Sequence, residues 1–216
     1  MSFFVGLDLG QKQDYTAIAV VERTVVMTGE IDGATYERIQ ETHFGLRYLE
    51  RVKLGTSYPA IVERVREVVQ ARDLSGKCTL VVDATGVGGP VMDLLQAARL
   101  ECWIIPVVIT GGERATQSGG TWRVPKRDLV MGLQVMFEER ELEIAESLPD
   151  AATLVTELMS MRVKISPAGH DTYGAASGAR EGPHDDLVLA AALAAWRAKV
   201  WEERSMFVDR SLGWAC

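Results

Sequence analysis

Three carboxylate positions stand where packing alone would not put them. Asp8 lies inside Phe3-Phe4-Val5-Gly6-Leu7-Asp8-Leu9, a run that otherwise reads as a buried strand. Asp is poorly suited to strands, and an unpaired buried carboxylate costs several kcal/mol or is neutralised. Asp83 closes Leu80-Val81-Val82 and precedes Ala84-Thr85-Gly86, so a parallel strand would deliver it to the crevice beyond the sheet. Asp185 and Asp186 precede Leu187-Val188 at the expected first turn of the last helix. Each has an ordinary reading: a satisfied strand-end acid, a turn residue, a helix cap. Together they meet one chemical demand. Magnesium and manganese are hard cations that bind carboxylate oxygens and leave positions open for water and phosphate. Acids from two strands and a helix end suit two such ions roughly 4 Å apart, one activating water and one steadying the leaving oxygen.

The elements that must carry these acids follow from periodicity. Phe3 to Leu9 and Thr16 to Met27 are apolar runs separated by turn-forming residues, a β-hairpin. Phe44, Leu46 and Tyr48 alternate with polar or small neighbours and predict a third strand. Ile61, Val62, Val65, Val68 and Val69 share one helical face, after Ser57 as cap and Pro59 in the first turn. A strand over 79–82 leads to Asp83, a helix is expected to begin near Pro90, and 103–108 reads as a further strand. Residues 111–120 form a polar, glycine-rich stretch expected as a loop. Pro125 opens a helix with Leu129, Leu133, Met136 and Phe137 inward. Another helix is expected over 148–161 with Asp150 as cap, then a strand at Val163 and Ile165. A loop with glycines at 169, 174, 178 and 182 leads to the last helix, about 184–202. Strands first as a meander, then alternating with helices, give an α/β sheet of mixed direction. One domain over 1–205 is expected, with 206–216 as a C-terminal tail.

Composition narrows the function classes. Hydrophobic residues are 47% and charged residues 25% of 216, ordinary for a soluble globular domain. No apolar run is long enough for a bilayer, and the start meets Gly6 and Asp8 before a signal-peptide core could form; a cytoplasmic location with no membrane partner is expected. Cys78, Cys102 and Cys216 have no paired short spacing, against a disulfide framework or a zinc cluster; Cys78 and Cys102 are expected as small buried residues. The net charge of −7 speaks against a generic nucleic-acid binder. Locally the balance reverses, because Arg114, Arg123, Lys126 and Arg127 stand against Glu113 alone over 111–127. Arg123, Lys126 and Arg127 are therefore the candidate contacts to DNA phosphates. Asp14 reads best as a residue of the hairpin turn, His184 as polar surface, and Trp196 and Trp201 as packing residues.

These motifs, in order, carry a resemblance. Gly6-Leu7-Asp8-Leu9-Gly10 through Asp14-Tyr15-Thr16-Ala17 resembles the opening of the nuclease domain of phage terminase large subunits. Val82-Asp83-Ala84-Thr85-Gly86-Val87-Gly88 resembles its second acidic strand, and Pro125-Lys126-Arg127-Asp128-Leu129 a helix start. His184-Asp185-Asp186-Leu187-Val188, running on through Ala190 to Ala194, is similar to its last metal-binding helix. The resemblance implies a ribonuclease H-like fold, a central five-stranded mixed sheet flanked by helices. It implies Asp8, Asp83 and Asp186 as catalytic metal ligands for Mg2+ or Mn2+ (two ions), with Asp185 an adjacent fourth. The activity implied is endonucleolytic cutting of viral double-stranded DNA concatemers during packaging, in a bacterial host. Its implied partners are a packaging ATPase, a portal or a small terminase subunit. One departure is plain: a packaging motor needs a phosphate-binding loop, and the nearest match, Gly76-Lys77, is followed by Cys78 and has Ala71 in place of the first glycine. Motor activity is not carried over, and an isolated domain, a split gene product or a shorter relative is expected. Two rivals share parts of the pattern. A Holliday-junction resolvase-like nuclease would use the same acids on branched DNA. An actin-like or sugar-kinase-like phosphotransferase would need a second, duplicated domain.

Overall fold

The computed structural model describes residues 1–10, 14–86, 88–145, 147–165, 171–175 and 184–211. Strand β1 (Ser2–Asp8) pairs antiparallel with β2 (Thr16–Ile31), and β2 pairs antiparallel with β3 (Arg38–Val52). After helix α1 (Tyr58–Val69), the chain crosses to β4 (Cys78–Asp83), which lies parallel to β1 on its other side. Helix α2 (Gly88–Ala97) leads to β5 (Trp103–Thr110), parallel to β4. The order β3-β2-β1-β4-β5 is the five-stranded mixed centre expected from sequence.

Three short strands widen that centre to eight. β6 (Thr116–Ser118) and β7 (Thr121–Pro125) form a hairpin alongside β5, and β8 (Leu142–Ile144) lies parallel to β3 at the far edge. The hairpin corrects the expectation of a plain loop over 111–120. Ser118 pairs with Thr121, and the two residues between them, Gly119 and Gly120, have φ of 57° and 82°. Two consecutive left-handed residues make a turn whose twist matches a strand pair, so the glycines close a hairpin here.

Helix α3 (Lys126–Glu138) buries Leu129, Leu133 and Met136 as its periodicity predicts, and α1 buries Ile61, Val62, Val65, Val68 and Val69. Helix α4 (Ala151–Ser160) and the small hairpin β9 (Met161–Ile165) with β10 (Asp171–Ala175) precede α5 (Asp186–Ser211). Ser57 and Asp150 occupy the N-cap positions of α1 and α4 without a side-chain capping bond. Asp150 instead accepts the backbone N–H of Arg51 at 3.2 Å, joining α4 to β3. Glycines 169, 178 and 182 of the expected loop, and 212–216 of the expected tail, lie outside the described residues; the helix itself runs through 206 to Ser211.

The sheet separates two apolar layers. Phe3, Val5, Leu7, Ile18, Val20, Leu80 and Val82 face α1 and α2, while Phe4, Ala17, Ala19, Val21, Val81 and Val107 face α3, α4 and α5. Period-two alternation along β1, β2 and β4 produces both faces. In β3 the alternation breaks. Val20 pairs with Tyr48 but Val21 with Leu46, so Arg47 is an extra residue, a β-bulge. Phe44 and Leu46 therefore face α5, whereas Tyr48, expected on their face, turns to the α1 side and Leu49 takes its place.

Helix α5 lies close on the sheet. Leu187 to Leu193 and Ala194, Ala195 and Ala198 are buried, and small side chains let the helix backbone approach β1. At Gly6 the approach is closest: a Cβ there would stand 1.9 Å from the carbonyl oxygen of Ala190 and 3.0 Å from the amide nitrogen of Ala194. No helix of the described residues is long and apolar enough to cross a membrane.

Gly6→Ala must push α5 off β1 and is expected to cost roughly 3 kcal/mol or more. Thermal unfolding would show a Tm fall on the order of 6–12 °C; an unchanged Tm would refute this account of the packing.

Candidate metal centre

Strand direction brings the acids together. β1 and β4 are parallel neighbours in which Leu7 pairs with Val82, so Asp8 and Asp83 leave the sheet side by side at the same end. α5 then crosses that end with Asp186 in its first turn and Asp185 just before it. All three of Asp8, Asp83 and Asp186 are buried polar residues, at 8%, 9% and 6% exposure.

The acids act on one another electrostatically. Burial raises the Asp8 carboxyl well above the usual range, and the charges of Asp83, Asp186 and Asp185 raise it further; Lys126 acts against them. Burial also raises Asp83, opposed by hydrogen bonds from Thr85 and by one with Asp8. The Thr85 N–H donates to Asp83 Oδ1 at 2.8 Å, and Thr85 Oγ1 accepts the N–H of Ile109 at 2.7 Å, which ties the Asp83 turn to β5. Asp186 is pushed up to about 6, chiefly by burial, while Arg51 and His184 lower it and Asp185 and Asp14 raise it. Carboxylates that share a dry site repel and hold protons.

Several residues stand beside the acids in ways the sequence reading did not foresee. Lys126 Nζ lies 2.6 Å from Asp185 Oδ2, so this lysine belongs to the acid cluster more than to an outward basic face. Arg123 is exposed on β7, and Arg127 Nε stands 3.6 Å from Asp128. Asp14 and His184, read from sequence as a turn residue and as polar surface, both act on Asp186. His184 Nδ1 is 3.7 Å from Asp186 Oδ2, and its ring meets Tyr15 edge-on at 4.9 Å. Arg51, 99 residues before Asp150 and 135 before Asp186 in the chain, stands 3.6 Å from Asp186 Oδ2 and 5.0 Å from the Tyr15 ring centre. It also pairs with Glu157, a carboxylate only 5% exposed. Arg51 and Glu157 carry no motif of their own, so no sequence signal would have found them. Trp196 packs against Trp122, ring centres 5.4 Å apart, as its reading as a packing residue requires; the side chain of Trp201 lies outside the described residues. Cys78 is buried and Cys102 half-buried, and both are free thiols.

The donor set is all oxygen and suits a hard divalent cation. Asp186 Oδ2 is buried and makes no hydrogen bond among the described residues. Its charged neighbours, Arg51 Nη2 at 3.6 Å and His184 Nδ1 at 3.7 Å, stand beyond hydrogen-bond distance. Among the described residues no three His, Cys, Asp or Glu side chains are gathered tightly enough to hold an ion as they stand. Mutual repulsion of the carboxylates, with Lys126 drawn to Asp185 and Arg51 beside Asp186, opposes any closer grouping. A larger cleft of about 690 Å³ lies at the opposite pole, lined by Phe3, Arg47, Tyr48, Arg64 and Lys77. Asp8, Asp83 and Asp186 lie at the other end of β1, the end where β4 finishes and α5 begins.

No family model matches this chain, and no curated protein matches it by sequence. Solved structures do. The large terminase nuclease of thermophilic phage G20c with bound magnesium aligns with a TM-score of 0.57 at 23% identity, covering 91% of this chain and 81% of that one. The nuclease domain of the large terminase subunit of bacterial virus Sf6, with manganese and beta-thujaplicinol, aligns at 0.60 and 14% identity over 90% and 88%. The large terminase nuclease domain of bacteriophage SPP1 with bound Mn aligns at 0.50 and 11% over 91% and 86%. The chain has the fold of large terminase nuclease domains. That is the ribonuclease H-like class expected from sequence, and it spans nearly all of the chain.

A pH prediction follows from the raised carboxyls. Such a group binds its proton more tightly folded than unfolded, so its stabilising contribution is complete below the unfolded value of 3.8. It is lost as pH rises through the folded value, about 6 for Asp186 and raised for Asp8 and Asp83. In the absence of divalent metal, Asp8→Asn is expected to match or exceed the parent Tm by roughly 2–6 °C at pH 7.5. That advantage should shrink toward pH 5. A Tm loss in the Asn variant at pH 7.5 would make Asp8 a structural acid.

Proposed function

We propose that this chain is a divalent-metal-dependent endonuclease that hydrolyses phosphodiester bonds of double-stranded DNA. The observation that carries the reading is the meeting of Asp8, Asp83 and Asp186, from two parallel strand ends and a helix start, on a fold otherwise seen in terminase nucleases. Three buried acids whose charges disfavour one another are costly to keep unless a cation relieves them. In that reading Asp8, Asp83 and Asp186 hold Mg2+ or Mn2+, with Asp185 adjacent. Two ions there would supply water activation and charge neutralisation at the leaving oxygen.

The protein's own groups prepare the site. β1 and β4 fix Asp8 and Asp83 through a rigid ladder, so neither carboxylate has to be ordered when the substrate arrives. The Thr85 N–H sets the rotamer of Asp83. Lys126 offsets the charge of Asp185 and lowers the local repulsion felt by Asp8. Arg123 and Arg127, near the same end of the sheet on β7 and α3, are suited to DNA phosphates, and Lys126 can join them where it exchanges Asp185 for a phosphate oxygen.

By this reading the biological task is cutting concatemeric viral DNA during genome packaging in the cytoplasm of a bacterial host. A packaging ATPase, a portal or a small terminase subunit would deliver the duplex. The large terminase nucleases of similar fold, solved with magnesium or manganese, support that assignment.

Purified protein incubated with supercoiled plasmid and Mn2+ or Mg2+ is expected to give open-circular and linear products, abolished by chelator. Asp83→Asn, prepared identically, is expected to lose activity by about 100-fold or more. Equal cleavage by the parent and the Asn variant would place the activity elsewhere. Selective cutting of a four-way junction over the plasmid would favour a resolvase.

A further inference from the structure

Glu157 carries a buried carboxylate that the proposed metal site does not itself use. It sits on α4 at 5% exposure, and its two oxygens do different work. Oε2 accepts the backbone N–H groups of Leu187 at 3.1 Å and Val188 at 3.2 Å, the unpaired donors of the first turn of α5. Oε1 receives the guanidinium of Arg51, the same Nη2 that stands 3.6 Å from Asp186 Oδ2. Arg51 is itself anchored at its backbone by Asp150 and stacked by Tyr15. Asp186 Oδ2, buried beside Arg51, makes no hydrogen bond among the described residues.

A buried arginine beside a buried aspartate would ordinarily close on it as a bonded pair. Here a second, better-placed carboxylate takes the guanidinium, and Asp186 keeps a free lone pair. We propose that Glu157 is a positioning residue for Asp186: it clamps the start of α5 and withholds Arg51, so that Asp186 remains open to a divalent cation. This rests on the reading of Asp186 as a metal ligand. Groups behind a ligand set its orientation and strength, and losing them costs about 10–100-fold in metal affinity.

The charge role and the capping role separate chemically. In Glu157→Gln a neutral carbonyl oxygen still accepts both α5 N–H groups, but the charge that draws Arg51 away from Asp186 is gone. In the double variant Arg51→Gln/Glu157→Gln the cap is kept and the competing guanidinium is gone, while His184 beside Asp186 is the same in every protein compared. The test is MnCl2 binding by calorimetry on the full chain without DNA, with circular dichroism and Tm recorded for each protein. Glu157→Gln is expected to stay folded and to bind Mn2+ about 10-fold or more weakly than the parent. The double variant is expected to recover to within about threefold, a rescue that a purely structural role would not produce.

Parent-like Mn2+ affinity in Glu157→Gln, with normal binding by the parent, would overturn the positioning role alone and leave the metal site intact. Equal weakening in the single and double variants, or loss of the folded spectrum in both, would assign the pair to stability and overturn it too. A parent protein that binds no Mn2+ would bring down the metal reading together with this one.

Discussion

The approach of α5 to β1 at Gly6 is the contact on which the site depends. A helix normally rests on a sheet through a layer of interdigitated side chains about 10 Å thick. Here the alanines of α5 and the missing side chain of Gly6 bring backbone against backbone. That lowers the helix start onto the strand ends, and Asp186 arrives among the charges of Asp8 and Asp83. A bulkier residue on either partner would lift α5 and separate the acids without altering any of them.

Placing several carboxylates in one dry corner is unfavourable, and the surrounding residues show how the cost is contained. Asp8 and Asp83 hold their protons more tightly than free carboxyls and share a hydrogen bond. Lys126 reaches across from α3 to Asp185, and Arg51 reaches from β3 toward Asp186 while bonded to Glu157. Each cation comes from a different element, so the cluster also ties α3, β3 and α4 to the start of α5. One charge arrangement thus both offsets the buried acids and joins the elements around them.

The overall negative charge, which argues against a nucleic-acid enzyme when treated as a sum, is better understood by position. The acids at the sheet end are partly neutralised by lysine and arginine, and a divalent ion would reverse the local sign. Elsewhere the charges pair among themselves, as Arg64 does with Glu50 and Glu67 far from the site. Net charge therefore says little about the local charge at this one end of the sheet.

Period-two and period-3.6 apolar patterns were enough to determine the central strands, the helices α1, α3 and α5, and the chain positions of Asp8, Asp83, Asp185 and Asp186. Those features depend on local spacing and on the cost of burying an acid, both written in consecutive residues. The hairpin at Gly119-Gly120, the bulge at Arg47 and the short β8 escaped, because each is decided by the strand alongside rather than by the segment's own pattern. Arg51, Glu157, His184 and Asp14 come beside the acids only through the tertiary fold. A lone arginine on a strand or a glutamate on a helix has no distinguishing periodicity, and its role is set by which distant charges the packing of α5 brings within a few ångströms. Sequence alone could thus name the acids. Only the folded chain decides which cations stand beside them and which oxygen is left open.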